Sequence, residues 1–216
     1  MNYFIVGDIH GCYFTFLEIL KHWNRDTEIL ICVGDFIDRG NHGVRVVEEC
    51  RKLSSDFPHN TVFLKGNHEA EIIEHVEVAF NDNWVRQCGQ KTLDEIKSHQ
   101  LDIVSWITWL KERPLVFETD FLVVTHAGIS HTPLPFEEAH PSSVLWNREP
   151  LKNIGKLQIH GHTPLKVNQA YYTPVSNSWN IDTAACYGYG LTGLKVSQTA
   201  KILEEVHIKT DCRDIE

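Results

Sequence analysis

Short apolar runs recur along the first third of the chain, and each is cut off by glycine and a polar residue. Tyr3-Phe4-Ile5-Val6 stops at Gly7-Asp8, Glu28-Ile29-Leu30-Ile31-Cys32-Val33 at Gly34-Asp35, and Thr61-Val62-Phe63-Leu64 at Gly66-Asn67-His68-Glu69. Runs this short and this rich in β-branched residues predict buried strands. Between them the apolar positions shift to a helical period. Phe14, Leu17, Leu20 and Lys21 mark a helix over about 13–23, and Val44, Val47 and Arg51 mark the faces of another over about 42–53. Strand, polar loop and helix repeat three times. That alternation predicts right-handed βαβ units and a largely parallel sheet with its polar loops on one edge.

Residues 70–114 break the rhythm. Two helical stretches, about 70–80 and 92–111, read as a helical insertion packed beside the motif edge and stopped by Pro114. Trp84 lies among them, and Trp106 and Trp109 read as the insertion's core. Strand character returns at Phe121-Leu122-Val123-Val124, which ends in Thr125-His126-Ala127-Gly128. A polar, proline-rich loop then leads to Val144-Leu145-Trp146-Asn147-Arg148. Lys156-Leu157-Gln158-Ile159 is a further strand, ending in His160-Gly161-His162-Thr163-Pro164. Beyond it, strands over about 169–172, 179–183, 193–197 and 200–208 are predicted to run antiparallel.

A chain of 216 residues suits one domain, 1–216, with the insertion at about 70–114. Lys+Arg 20 against Asp+Glu 29 leaves a net charge of −9, which argues against nucleic acid as a partner. It leaves room for an anionic substrate, because divalent metals reverse the local charge. The six cysteines are scattered without a C-x-x-C pair and read as reduced thiols of a cytoplasmic protein. A strand begins at residue 2, and no apolar stretch is long enough for a signal peptide or a membrane span.

The predicted strand ends deliver Asp8 and His10, Asp35, Asn67 and His68, His126, and His160 and His162 to one edge. Within Gly34-Asp35-Phe36-Ile37-Asp38-Arg39-Gly40, two carboxylates and a guanidinium stand between glycines, as a site for a cation and a phosphate would require. Oxygen and imidazole ligands without thiolate suit divalent ions such as Mn²⁺, Fe²⁺ or Zn²⁺. They are too many for one tetrahedral ion, and they divide into two sets sharing one carboxylate. Two metals roughly 3.5–4 Å apart would clamp a phosphoryl oxygen and generate hydroxide at neutral pH.

The three blocks Gly7-Asp8-Ile9-His10-Gly11, Gly34 to Gly40 and Gly66-Asn67-His68-Glu69, followed by Thr125-His126-Ala127-Gly128 and Gly161-His162-Thr163, resemble the phosphoprotein phosphatase family of calcineurin-like metallophosphoesterases. The resemblance covers about residues 3–195, and five blocks in order carry more weight than any one. It implies an α/β fold in which a β-sandwich is flanked by helices in α-β-β-α layers. It also implies two divalent ions, Mn²⁺ first with Fe or Zn as alternatives. Asp8 and His10 would bind the first, Asp35 would bridge, and Asn67, His126 and His162 would complete the second. His68 would be the general acid, oriented by Asp38. Arg39 would clamp the phosphate, with Asn67 beside it, and Arg148 matches a second clamp of the bacterial and phage branch.

The resemblance implies a phosphomonoester hydrolase, first a Ser/Thr protein phosphatase with phosphotyrosine as a further substrate. The alternative is a symmetrical bis(5'-nucleosyl)-tetraphosphatase, and the partner would be a phosphorylated protein or a dinucleoside polyphosphate. A rival of another class is an inactive scaffold of the same fold that binds a protein; its mark would be missing ligands, and none is missing. His160 is a local rival to His162 and is assigned a supporting role. Cys12 sits beside the first block without an activating base, which argues against a nucleophile. Two stretches depart from the bacterial pattern: Gln87-Cys88-Gly89-Gln90-Lys91-Thr92, and 181–192 with Tyr187 and Tyr189. Both are expected to border the substrate groove rather than the metals.

Overall fold

The structure, a computed structural model, describes residues 1–215. The first half holds β1 (Asn2–Val6), α1 (Tyr13–Leu20), β2 (Glu28–Cys32), α2 (Gly43–Asp56), β3 (Thr61–Phe63), α3 (Asn67–Glu77), α4 (Asp82–Trp84), α5 (Gln90–Ser98) and α6 (Ile103–Lys111). A single π-helical turn, Val85–Gly89, joins α4 to α5. The second half holds β4 (Val116–Glu118), β5 (Leu122–Thr125), β6 (Leu157–His160), β7 (Tyr171–Thr173), β8 (Ser178–Asn180), β9 (Leu191–Val196) and β10 (Ile202–Ile208). Two five-stranded sheets result, in the orders β10-β9-β1-β2-β3 and β4-β5-β6-β8-β7.

The apolar runs are continuous because both faces of the central strands are buried. Along β1, Phe4 and Val6 join the core under the helices, while Tyr3 and Ile5 join the core between the sheets. Leu30 and Cys32 of β2 repeat the first choice, and Ile31 with the following Val33 the second. Leu122 and Val124 of β5 and Leu157 and Ile159 of β6 close the inter-sheet core from the other side. Each such Leu, Ile or Phe is worth roughly 1.5–3 kcal/mol when removed from water. On the outward side of the second sheet, the Gln158 amide donates to the Lys152 carbonyl at 2.7 Å and accepts from the Ile129 N–H at 3.1 Å, so irregular chain covers that face there.

Register sets the position of the loops. Val6 pairs Cys32 and Cys32 pairs Phe63, so the three parallel strands end level. Val124 pairs Ile159 in the second sheet, also in parallel. Five carboxyl ends therefore open on one edge, where open α/β folds keep their ligands.

Several expectations need correction. The helix predicted at 92–111 is two, because Gln100 takes a left-handed backbone and Asp102 caps a new start by accepting from the Ser105 N–H at 3.1 Å. The helix expected from 70 begins at Asn67, which puts Asn67 and His68 in its first turn. In α1 the fully buried face is Thr15, Phe16, Ile19 and Leu20, with Leu17 packed half-buried beside it; the 3₁₀ turn Cys212–Asp214 covers the helix start, where the Asp214 carboxylate accepts from the Phe14 and Thr15 N–H groups. β4 was not foreseen, being a three-residue edge strand. The later strands are not all antiparallel, since β8 pairs β6 in parallel. Trp106 is buried and Trp109 packs on Phe36 and Phe63, so both tryptophans are core as read. Among the described residues no helix is long and apolar enough to cross a membrane.

Candidate active site

The loops at the sheet edge are tightly folded. His10, Asp35, Asp38, Arg39 and His162 all have φ between 45° and 72°, a left-handed backbone that side chains other than glycine rarely take. Such conformations persist only where their surroundings over-determine them, and they gather at functional sites. Glu69 supplies much of that determination. Fully buried in the first turn of α3, its carboxylate accepts from the Asp35, Phe36 and Gly66 N–H groups at 2.8–2.9 Å. Gly66 and Gly161 have no room for a Cβ, which would run into the Asp35 and Asp8 carboxylates respectively. The resemblance implies no role for Glu69; its sequence signal is an acid three residues after a helix-capping glycine.

Asp35 is the hub. Its Oδ2 lies 3.3 Å from His10 Nε2, 3.4 Å from His126 Nε2 and 4.0 Å from His68 Nε2. His10 Nδ1 donates to the Ile37 carbonyl at 2.9 Å and His126 Nδ1 to the Val33 carbonyl at 3.1 Å. Both rings therefore turn an Nε2 lone pair inward, as ligating histidines do. Asn67 Oδ1 stands 2.9 Å from both His126 Nε2 and His162 Nδ1, which are 3.2 Å apart. Burial pulls His10 down to about 3 in spite of Asp35, and burial with His126 pulls His162 down to about 2. Burial also lowers His126. Burial pushes Asp35 upward, but the histidines around it outweigh burial and hold it well below the usual carboxylate range.

Neutral imidazoles and an ionised carboxylate are the protonation states that metal ligation needs. Lone pairs of Asp35, His126 and Asn67 face one another here, and a cation between them is the group that relieves this. Of three compact clusters, Asp38–His68–Cys88 lies around the His68–Asp38 pair, and the two that share Asp35 fit paired divalent ions, His10–Asp35–His68 and Asp35–His126–His162. Asp8 falls in neither. Its Oδ2 accepts from the His162 N–H at 2.9 Å, while Oδ1 is buried without a partner. Burial, Asp182 and Asp35 all raise Asp8, so its ionised form needs a cation too. The donor set thus fits two metals sharing Asp35. His160 stays outside these clusters, its Nδ1 on the Gly161 carbonyl at 3.1 Å.

His68 turns its other nitrogen to Asp38, with Nδ1 2.6 Å from Oδ2. The insertion grips that carboxylate. Trp84 Nε1 donates to Asp38 Oδ2 at 2.6 Å, Thr92 Oγ1 to Oδ1 at 2.5 Å, and the Cys88 thiol to Oδ2 at 3.4 Å. The stretch is expected to border the substrate groove rather than the metals; Cys88 does line a pocket with Arg39, and Cys88 and Thr92 also touch the partner of His68. The π-helical turn carries Cys88 there, and Gly89 leaves space for the Trp84 ring. Trp84→Phe keeps an apolar ring but removes a hydrogen bond to a charged group, worth about 1.5–3 kcal/mol. Turnover of an alkyl phosphate is expected to fall at least about tenfold. An unchanged rate would mean that Asp38 needs no help from the insertion.

Arg39 Nη2 lies 3.1 Å from His68 Nε2, and its guanidinium stands over the Tyr187 ring at 5.6 Å. Burial lowers His68, but Asp35 and Asp38 outweigh it and raise the ring well above its ordinary value. With Nδ1 held by Asp38, the ring's Nε2 and the Arg39 guanidinium stand side by side at the same edge. Arg148 is exposed and lines a cavity of about 280 Å³ with His160, Thr163 and Asn180. Cys12 is buried and burial pushes its thiol far up, as suits an inert core residue.

A fold of two mixed sheets with paired Asp/His clusters at the strand ends defines a metallophosphoesterase. The profile of the calcineurin-like phosphoesterase family matches residues 1–194, and the chain belongs to that family. It is 29% identical to a bis(5'-nucleosyl)-tetraphosphatase PrpE [asymmetrical] of Bacillus cereus strain Q1, over 90% of each chain. It is 28% identical to serine/threonine-protein phosphatase 2 of Salmonella typhimurium, over 89% of this chain and 91% of that one. Among solved structures it is similar to a putative diadenosine tetraphosphatase, with a TM-score of 0.67, 19% identity and coverage of 95% and 93%.

Proposed function

We propose that the chain is a dinuclear-metal-dependent phosphohydrolase in which Asp8 and His10 hold one ion, Asn67, His126 and His162 the other, and Asp35 both. The observation that carries this is Asp35 Oδ2 between two inward Nε2 atoms, at 3.3 and 3.4 Å, whose rings are fixed through Nδ1. When bound, two such ions, Mn²⁺ first, supply Lewis-acid polarisation of phosphoryl oxygen and a nucleophile at neutral pH. The chain's own residues do the rest. Arg39 and Arg148 orient the phosphate, for which a planar fork of donors is better shaped than lysine. His68 Nε2 gives its proton to the leaving oxygen, and Asp38 holds the ring through Nδ1.

Two substrate classes follow. Phosphoserine or phosphothreonine in a protein was put first from the sequence, and the Salmonella relative's name supports it. The Bacillus relatives' name supports a dinucleoside polyphosphate. Their name specifies the asymmetrical enzyme, whereas the sequence resemblance gave the symmetrical one as the alternative; unequal nucleotide products would mark the first and two equal ones the second. The core reading is tested by chelating the protein and restoring Mn²⁺ while measuring metal content and p-nitrophenyl phosphate hydrolysis. About two ions per chain with restored turnover are expected. Under one ion per chain without rescue would sink the enzyme reading and leave the scaffold.

A further inference from the structure

We propose that Tyr187, Lys166 and Lys209 continue the phosphate site beyond Arg39 as a subsite for the further phosphates of a nucleoside polyphosphate, and so set substrate choice. The inference rests on the phosphohydrolase reading only in taking Arg39 as the place of the phosphate that reacts.

Two cations stand near the Tyr187 ring: Arg39 at 5.6 Å and the Lys166 ammonium at 5.9 Å from its centroid. The two charges are therefore no more than about 11.5 Å apart, the sum of those distances. Lys166 is exposed, is set in a left-handed turn at φ 51°, and pairs with no carboxylate among the described residues. Beyond it opens a groove of about 470 Å³, lined by Lys166, Tyr189, His207 and Lys209 among others. That volume is in the range of small-ligand sites. Lys209 is likewise exposed and unpaired with any carboxylate among the described residues.

A chain carrying a net charge of −9 has carboxylates in excess, yet its lysines here are left without them. Three cations on one path repel one another, and an anion laid along the path removes that cost. An isolated phosphomonoester reaches Arg39 only. A phosphopeptide brings one phosphate, followed by neutral backbone. A polyphosphate chain brings successive charges at short spacing, and its nucleoside then meets the half-exposed Tyr189 ring that lines the groove beyond. Bases stack on such rings without regard to sequence. Lysine serves here as a point charge for phosphate.

The test compares Lys166→Glu with Lys201→Glu, an exposed lysine just before β10 that gives the same change in net charge. Binding of a methylene-bridged diadenosine tetraphosphate to the Mn²⁺-loaded protein is measured by calorimetry. Lys166→Glu is expected to weaken binding at least tenfold and Lys201→Glu less than twofold. Lys209→Glu should also weaken it, as a second variant. Equal effects of Lys166→Glu and Lys201→Glu, or none from Lys166→Glu, would overturn the subsite. So would a loss confined to a phosphothreonine peptide. Hydrolysis of p-nitrophenyl phosphate by the unaltered protein is read in parallel: its absence sinks the enzyme reading while the binding result still decides the subsite.

Discussion

Asp35→Asn is expected to lower metal content at both positions at once and to reduce turnover at least about 10³-fold, the upper end for one electrostatic group. Asparagine has nearly the same shape, so the change removes charge and little else. Asp35 Oδ1 accepts from the His68 N–H at 3.1 Å, and an amide oxygen placed there keeps that bond. The inward atom is then an NH₂ facing the lone pairs of His10 and His126 at 3.3 and 3.4 Å. It donates to them and occupies the electron pairs a cation would use. The variant therefore folds with a satisfied, metal-poor centre. Two ions per chain in the variant, measured by mass spectrometry of the purified protein, would remove Asp35 from its shared position. Loss of one ion alone would make it a ligand of a single site.

The contrast between Asp35 and Trp84 shows how much of this centre could be read beforehand. Strand ends were legible because β1, β2 and β5 are buried on two faces and leave near-continuous apolar runs, with β6 broken only by Gln158. Glycine-linked Asp and His then had to fall at one edge, whatever the details of register. What holds Asp38 was not legible. Trp84, Cys88 and Thr92 are 46, 50 and 54 residues from Asp38, and a π turn that no apolar period announces brings them to it. The left-handed backbones of His10, Asp38 and His162 were hidden for a related reason. These conformations are imposed by contacts from other loops, such as the Asp8 carboxylate accepting from the His162 N–H, and not by local propensity. Glu69 was visible as a residue but not as the carboxylate that gathers three amides from two loops.

His68→Asn separates the chemical step from metal holding, a distinction that geometry alone leaves between two roles. His68 Nε2 is 4.0 Å from Asp35 Oδ2, within reach of the first metal cluster, yet its Nδ1 is committed to Asp38 at 2.6 Å. The ring is gripped through Nδ1 by a carboxylate, and Asp35 and Asp38 push it well above its ordinary value while Nε2 is left facing Arg39 at 3.1 Å, which suits an acid better than a ligand. The variant is accordingly expected to keep both ions and to lose about 10²–10⁴ in kcat on an alkyl phosphate. The loss should be much smaller on p-nitrophenyl phosphate, whose leaving oxygen needs little help from a proton. Asp38→Asn should follow the same pattern, and the double variant should cost little more than His68→Asn alone, because the two residues act as one unit. Loss of one ion from His68→Asn would make the ring a ligand. Unchanged turnover of the alkyl ester would leave Arg39 and the metals to expel the leaving group without a proton from His68.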